Sequence, residues 1–256
     1  MISSDHKNTS LTSEGIDHIS LNTTKNELFN TLLPQGANQI SGLIDEVMIF
    51  KISSPQDQLH NRFIKRIVDV IFSLFILVFV FSWLCPIIAI LIKMESKGPV
   101  IFKQLRSGKN NAEFWCYKFR SMRINDDAHH RQACRNDDRT TRIGRFLRRT
   151  SLDEFPQFLN VIAGDMSVVG PRPHMVKHTE EYRYIIDNYM VRHYLKPGIT
   201  GWAQINGHRG ETPELRAMQE RIHHDLWYLE NWSVGLDIRI ILSTTSQVLF
   251  GHKNAF

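Results

Sequence analysis

Apolar and polar positions are spread unevenly along the 256 residues. Residues 1–40 are rich in Ser, Thr and Asn without helical or strand period, the pattern of a polar, partly disordered arm. A short apolar patch follows at 42–52 (Leu43, Ile44, Val47, Met48, Ile49, Phe50, Ile52), of strand or amphipathic-turn length. The dominant feature lies at 70–92, where 23 consecutive residues carry no charge and are mostly Val, Ile, Leu and Phe. Gly98 and Pro99 mark a turn, and strand-like runs follow at 99–102 and, strongly aromatic, at 114–119. From Asp126 the pattern turns helical and basic: Arg139, Arg142, Arg145 and Arg148 recur every three residues beside an apolar stripe of Ile143, Phe146 and Leu147. Such a helix suits an anionic membrane surface, or is simply a solvated face. Segments 175–195 and 212–229 read as helices, and 232–250 as a final helix on the core or at an interface.

As a helix, the uncharged run would extend about 35 Å at ~1.5 Å per residue, more than the ~30 Å hydrocarbon core of a bilayer. It begins too far into the chain to be a secretory signal. Arg62, Lys65 and Arg66 precede it and Lys93, Lys97, Lys103, Arg106 and Lys109 follow, so the positive-inside rule places both flanks in the cytoplasm. A straight span cannot meet that requirement. Pro86 lacks a donor and clashes with the carbonyl of Ser82, which predicts a kink or break near Cys85, with Ser82 a partner for freed backbone groups. Three arrangements stay open: a re-entrant hairpin, a tilted span with a proline kink, and a buried core helix.

Composition refines this picture in one respect. The chain has 31 basic and 26 acidic residues, yet residues 1–60 hold 3 Lys against 7 Asp and Glu. The arm is therefore −4 and the remainder +9, a body suited to anionic lipid, phosphorylated substrates or nucleic acid. No helix-turn-helix, RRM or zinc-finger signature is present, so nucleic acid is not an expected partner. Three cysteines without a C-x-x-C pair argue against a disulfide framework.

Candidate chemistry concentrates in three segments. Ser151-Leu152-Asp153-Glu154 reads as a capping box, and also as two carboxylates at a helix start that stay ionised and hold Mg2+. In the segment 164–173, Gly170, Pro171 and Pro173 fix the backbone around Arg172, whose planar fork suits phosphate oxygens. The glycine-dense segment 196–207 either admits a ligand close to backbone, with Trp202 stacking on a base, or only makes turns. His174 and His178 lack a third zinc ligand, and no Walker loop, G-x-G-x-x-G or G-x-S-x-G occurs.

Taken in order, Lys65-Arg66 with the apolar run, Tyr117-Lys118-Phe119-Arg120-Ser121-Met122, Arg148-Arg149-Thr150-Ser151-Leu152-Asp153-Glu154, Gly164-Asp165-Met166-Ser167, Val169-Gly170-Pro171-Arg172-Pro173 and 196–204 strongly resemble the bacterial sugar transferase family, the monotopic polyprenyl-phosphate phosphoglycosyl transferases. The resemblance implies an α+β, predominantly helical monotopic membrane protein. Its parts would be the arm (1–60), a re-entrant helix broken at Pro86 (61–97), and a small cytoplasmic catalytic domain with amphipathic interfacial helices (98–256). It implies that Asp153 and Glu154 are catalytic, Asp153 as the nucleophile and Glu154 sharing the metal or acting as base, that both bind Mg2+, and that Arg148, Arg172, Lys118 and Arg120 bind substrate. The implied partners are a UDP-sugar, undecaprenyl phosphate and membrane lipid at the cytoplasmic face of the bacterial inner membrane; a homo-oligomer is left open. Residues 192–198 and 206–212 look most like glucose-1-phosphate transferases of exopolysaccharide and capsule assembly. Cys85 stands where the family usually has Ser before the breaking proline, and His208 where the glucose group often has Trp.

Overall fold

The uncharged run and its flanks form one helical stretch of 37 residues, Leu59–Glu95, long and apolar enough to cross a membrane and mostly exposed. In the computed structural model, which describes residues 54–124, 137–210, 212 and 214–250, this stretch has three parts. Helix α1 is Leu59–Ile76, a π-helical turn spans Leu77–Phe81, and helix α2 is Ser82–Glu95. The apolar patch at 42–52 and the start of the basic pattern at 126 lie outside the described residues. So does the arm as far as residue 53. Within its last predicted residues, Ser54 Oγ donates to the Leu229 carbonyl at 2.8 Å and Tyr194 hydroxyl to Asp57.

Pro86 lies inside α2, where the backbone stays helical. The irregularity expected at Cys85 and Pro86 falls one turn earlier, where Ser82 N–H reaches back five residues to the Leu77 carbonyl. Proline's steric demand falls on the carbonyl four residues before it, so the preceding turn widens rather than breaks. Carbonyls in that turn find side-chain donors: Ser82 Oγ donates to Val78 O at 2.6 Å and Trp83 Nε1 to Phe79 O at 2.7 Å. Ser82 thus takes the role its sequence position suggested, though toward Val78.

Two small sheets and six further helices make up the described body. Strands β1 (Ile101–Ser107) and β2 (Glu113–Phe119) pair antiparallel, with Ile101 opposite Phe119. Helix α3 (Arg142–Thr150) leads through a 3-10 turn, Leu152–Glu154, into α4 (Gln157–Ala163). Strand β3 (Ser167–Val169) pairs parallel with β4 (Gly198–Thr200). Helix α5 (Val176–Tyr182) and a 3-10 segment, Tyr189–Tyr194, occupy the region expected as one long helix, interrupted where Asn188 adopts φ 61°. Helices α6 (Trp202–Ile205), α7 (Leu215–Glu230) and α8 (Val234–Phe250) complete the chain.

The long helix lies along this body rather than leaving it. Phe72, Ile76 and Leu77 pack on a core of Phe158, Val161, Met166, Tyr228 and Leu229. From the last residue of the π turn onward, Phe81, Leu84, Ile88 and Ile92 pack with Phe119 and Leu147. Phe63, Ile71, Phe75, Phe79, Trp83, Ile90 and Met94 face outward and are exposed.

Both ends are tied down by polar contacts, buried at the Lys65 end and exposed or half-buried at the Glu95 end. Lys65 Nζ donates to Val169 O at 3.0 Å and Asp237 Oδ2 at 2.7 Å, and Asp237 also accepts from Tyr228 OH and Trp232 Nε1. Arg66 covers the last carbonyls of α4, donating to Val161 O and Ile162 O. At the far end, the Glu95 carboxylate accepts the first N–H groups of α3, from Arg142 at 2.6 Å and Ile143 at 2.8 Å. Arg120 donates to the Ser96 and Lys97 carbonyls, 2.7 Å each. Lys65 and Arg66 of the first basic flank are therefore structural, not free lipid-facing charges.

Glycine is required where two backbones meet. A Cβ on Gly198 would lie 2.1 Å from Gly170 N, and one on Gly201 2.3 Å from Gly170 O. Gly198 and Gly201 thus admit the neighbouring segment, and Gly207 makes a turn at φ 94°. Trp202 is stacked on Trp227 with centroids 4.6 Å apart, so it is no platform for a base.

Candidate active site

The short link between α3 and α4 carries the two candidate carboxylates. Ser151 ends α3 in the left-handed region (φ 59°, ψ 13°), turning the chain so that Asp153 and Glu154 fall on the next, 3-10 turn. No capping box forms. Ser151 Oγ instead accepts from Arg209 Nη2 at 2.6 Å, and Glu154 points away to other cations. The supporting floor is β2, held to α4 by Asn160: its Nδ2 donates to Trp115 O at 2.7 Å and its Oδ1 accepts from Tyr117 N at 3.0 Å.

Asp153 and Glu154 are both buried, 8% and 6% exposed, yet differ in every contact. Glu154 Oε1 accepts from Lys118 Nζ at 2.7 Å and Arg172 Nη2 at 2.5 Å, and Oε2 from Arg172 Nη1 at 3.2 Å. Burial alone would raise its pKa, but Arg172 and then Lys118 hold it well below the usual carboxylate range. Among the described residues, none donates a hydrogen bond to the Asp153 carboxylate. Burial pushes its pKa up to about 6; Lys118 opposes the shift and the Glu154 charge adds to it. Both carboxylates are therefore mostly ionised at neutral pH, Glu154 firmly and Asp153 with a raised pKa because desolvation outweighs the nearby cations.

They open on a cavity of about 620 Å³, the size of a small-molecule site. Ten Lys and Arg side chains line it among the described residues, and Asp153 and Glu154 are its carboxylates. Lys118, Arg148 and Arg172, expected on sequence grounds, are all in that lining. Arg120 lines it too, but its terminal nitrogens are committed to the Ser96 and Lys97 carbonyls. Its place is at the join between the end of α2 and the cavity, with Nε left without a hydrogen-bond partner among the described residues.

Several lining residues carried no recognisable signal in the sequence. Arg106 comes from β1 and donates to Pro173 O and Gln104 Oε1. Arg221, from α7, donates to His208 O and Gly210 O; burial and the charges of Arg172 and Arg192 push its pKa down to about 10. His174 follows the Pro-Arg-Pro turn. Arg209 stands in a motif that sequence reasoning used only for subclass.

As to metal, no group of three or more His, Cys, Asp or Glu side chains gathers among the described residues. Two adjacent carboxylates are available, and Mg2+ characteristically takes one or two carboxylates with substrate phosphates and water completing the shell. Asp153 and Glu154 fit that donor set, Asp153 through its unengaged oxygens.

Comparison with known proteins agrees with the motif order. Residues 60–251, three quarters of the chain, match the model of the family described as "Bacterial sugar transferase". A UDP-glucose:undecaprenyl-phosphate glucose-1-phosphate transferase of Xanthomonas campestris pv. campestris is 57% identical over 66% of this chain and 35% of its own length. Proteins of the same name from Escherichia coli (strain K12) and Caulobacter vibrioides are 52% and 44% identical, each over 72% of this chain and over 40% and 69% of their own lengths. The chain thus spans well under half the length of the first two.

Proposed function

The chain belongs to the bacterial sugar transferase family, and from that premise we propose that it moves a sugar-1-phosphate, glucose-1-phosphate first among candidates, from a UDP-sugar to undecaprenyl phosphate, releasing UMP. The observation that carries this reading is the contrast within the carboxylate pair: an unengaged Asp153 beside a Glu154 locked by Arg172 and Lys118, in a cavity lined by cations. Such a field suits a diphosphate and a phosphate monoester, the two groups the reaction brings together.

Two displacements at one phosphorus follow from this arrangement. An Asp153 oxygen attacks the phosphorus that bears the sugar, and the bond from that phosphorus to the bridging oxygen breaks, its electron pair leaving with UMP. An oxygen of the lipid phosphate then attacks the same phosphorus, and the Asp153 carboxylate is released with its charge restored. A carboxylate nucleophile divides one transfer between anions into two easier steps. Arg172 and Arg148 balance charge on the phosphoryl oxygens. Glu154, immobilised by Arg172 and Lys118, holds those two cations in place. Mg2+ bound by Asp153 and Glu154 would offset diphosphate charge.

The membrane segment completes the reading. A helix fixed to the body at Lys65 and at Glu95, with its midpoint packed on Phe119, supports an element that enters the bilayer and returns on one face. Its outward apolar face, with exposed Leu242, Leu249 and Phe250 of α8, would sit in lipid at the cytoplasmic face of the inner membrane. Such placement lets a soluble donor and a lipid acceptor reach one cavity, as the first step of exopolysaccharide or capsule assembly.

The test is UMP release by detergent-solubilised chain from a panel of UDP-sugars, with undecaprenyl phosphate and Mg2+. UDP-glucose should serve as donor, and galactose or N-acetylhexosamine donors separate the neighbouring specificities. Asp153→Asn should abolish release. UMP from no donor would refute the reading, and substantial turnover by Asp153→Asn would remove Asp153 from the nucleophile role.

A further inference from the structure

One wall of the cavity holds a polar group that this chemistry leaves unused. His174 is 4% exposed and lines the cavity beside Met175, Met218 and Arg221. Its Nδ1 lies 2.6 Å from Arg192 Nη1 and 2.6 Å from the Tyr189 hydroxyl. A guanidinium nitrogen can only donate, so Nδ1 presents its lone pair and the ring proton resides on Nε2. Burial, then the Arg192 and Arg221 charges, hold the imidazole well below its ordinary pKa, so this tautomer is neutral at physiological pH. Nε2 is itself buried and has no hydrogen-bond partner among the described residues, as is Thr212 Oγ1, also in the lining. A buried donor left unpaired is costly, and at a cavity wall it is completed by what enters the cavity.

The same network fixes where that donor stands. Arg192 is held by Asp225, with Nε at 3.0 Å and Nη2 at 2.8 Å from Oδ2. Its Nη2 also donates to the Arg172 carbonyl at 2.6 Å. One buried guanidinium therefore orients both the backbone of the residue that clamps Glu154 and the His174 ring, two residues further on. Two residues span at most about 7 Å of extended chain, so the His174 and Arg172 backbones stand close together in the wall of one cavity.

We propose that His174 Nε2–H donates a hydrogen bond to a ring hydroxyl of the transferred sugar, making His174 a specificity residue and Arg192 the residue that positions it. This rests on the sugar-1-phosphate transfer reading. A neutral donor matches a hydroxyl, whereas the cavity's guanidinium and ammonium groups match phosphate. The group bonded directly to the attacked phosphorus is the sugar, while the uracil lies beyond a second phosphate and the ribose.

The experiment measures kcat/KM for UMP release with UDP-glucose and its 2-, 3-, 4- and 6-deoxy analogues, together with inhibition by UDP, which has no sugar. The native chain should lose about 10- to 100-fold with at least one analogue. His174→Phe should bring UDP-glucose down to that level and no longer distinguish the two donors. His174→Gln, whose amide places an N–H near Nε2, should retain most of the preference, and UDP inhibition should be unchanged in both variants. Independent, multiplicative losses from His174→Phe and the deoxy position would overturn the proposal, as would a matching loss of UDP inhibition. If His174→Phe does not fold, the native chain still decides: kcat/KM within about 3-fold for all four analogues also overturns it. Absence of UMP from every UDP-sugar with the native chain would instead refute the transferase reading, and this proposal with it.

Discussion

Asp153 and Glu154 are chemically alike and adjacent, and the fold makes them opposites. Glu154 is the better anion because Arg172 and Lys118 donate hydrogen bonds to it; Asp153 feels their charge without those bonds and keeps a raised pKa. A nucleophile must be ionised, so kcat/KM for UMP release should rise with pH through an apparent value near 6 for the pair, and fall tenfold per unit well below it. A pH-rate profile that is flat from pH 5 to 7.5 would contradict this. The same shift bears on stability. A carboxyl whose pKa is higher folded than unfolded binds its proton more tightly in the native state, so that contribution is complete below about 3.8 and lost as pH rises through about 6. At pH 7.5, Asp153→Asn should therefore raise the unfolding temperature, by roughly 1–3 kcal/mol in stability, while abolishing turnover. Motif order placed Asp153, Glu154, Lys118, Arg148 and Arg172 in the cavity, since each stands in a run of distinctive neighbours. Arg106, Arg221 and His174 were not legible, because a lone Arg on a strand or helix looks the same whether it faces water or a cavity. The second role of Arg120, bracing the turn after α2, was hidden for a related reason: only the fold brings the Ser96 and Lys97 carbonyls to it.

At the level of elements, residue type and period predict strand-like runs at 99–102 and 114–119 and helices at 212–229 and 232–250, where the structure has strands at 101–107 and 113–119 and helices at 215–230 and 234–250. Periodicity failed where backbone conformation, not side-chain period, decides. Asn188 and Ser151 adopt positive φ, one splitting an expected helix and the other turning an expected cap into a helix end. Glycine-rich segments were ambiguous because a tight turn, a ligand and a neighbouring backbone all ask for the same residue. Here the neighbour is backbone, which gives a sharp expectation. Gly198→Ala places a methyl 2.1 Å from Gly170 N and should destabilise by at least about 1–3 kcal/mol, the usual cost of overpacking a rigid site. Gly235→Ala, in α8 with nothing nearer than 4.0 Å, should be neutral or stabilise by up to about 1 kcal/mol. Thermal unfolding of both variants in one detergent provides the comparison. Equal unfolding temperatures would mean that the β3 and β4 segments can separate, and would weaken the account of why the two motifs carry glycine.

For the whole molecule, the charge imbalance between arm and body acquires a more specific meaning. Some of the +9 is interior: Lys65 neutralises Asp237, Arg66 caps α4, and Arg120 braces the turn after α2. Much of the rest lines the cavity, so the total overstates the charge offered to lipid. Arg62 and Lys97 are exposed at opposite ends of the helix. Because the polar ties at both ends belong to one folded body, that body cannot stand on both sides of a bilayer without breaking the Lys65–Asp237 pair or freeing the Glu95 carboxylate from α3. Breaking a buried ion pair by removing one partner costs about 3–5 kcal/mol, which no gain in lipid contact at an already exposed apolar face would offset. Cysteines introduced singly at Arg62 and Lys97, in a chain whose three native cysteines are replaced by Ala, should therefore behave alike. Both should resist a membrane-impermeant maleimide applied to intact cells and react in inverted vesicles. Labelling of one position from outside and the other from inside would establish a single span and remove the re-entrant arrangement.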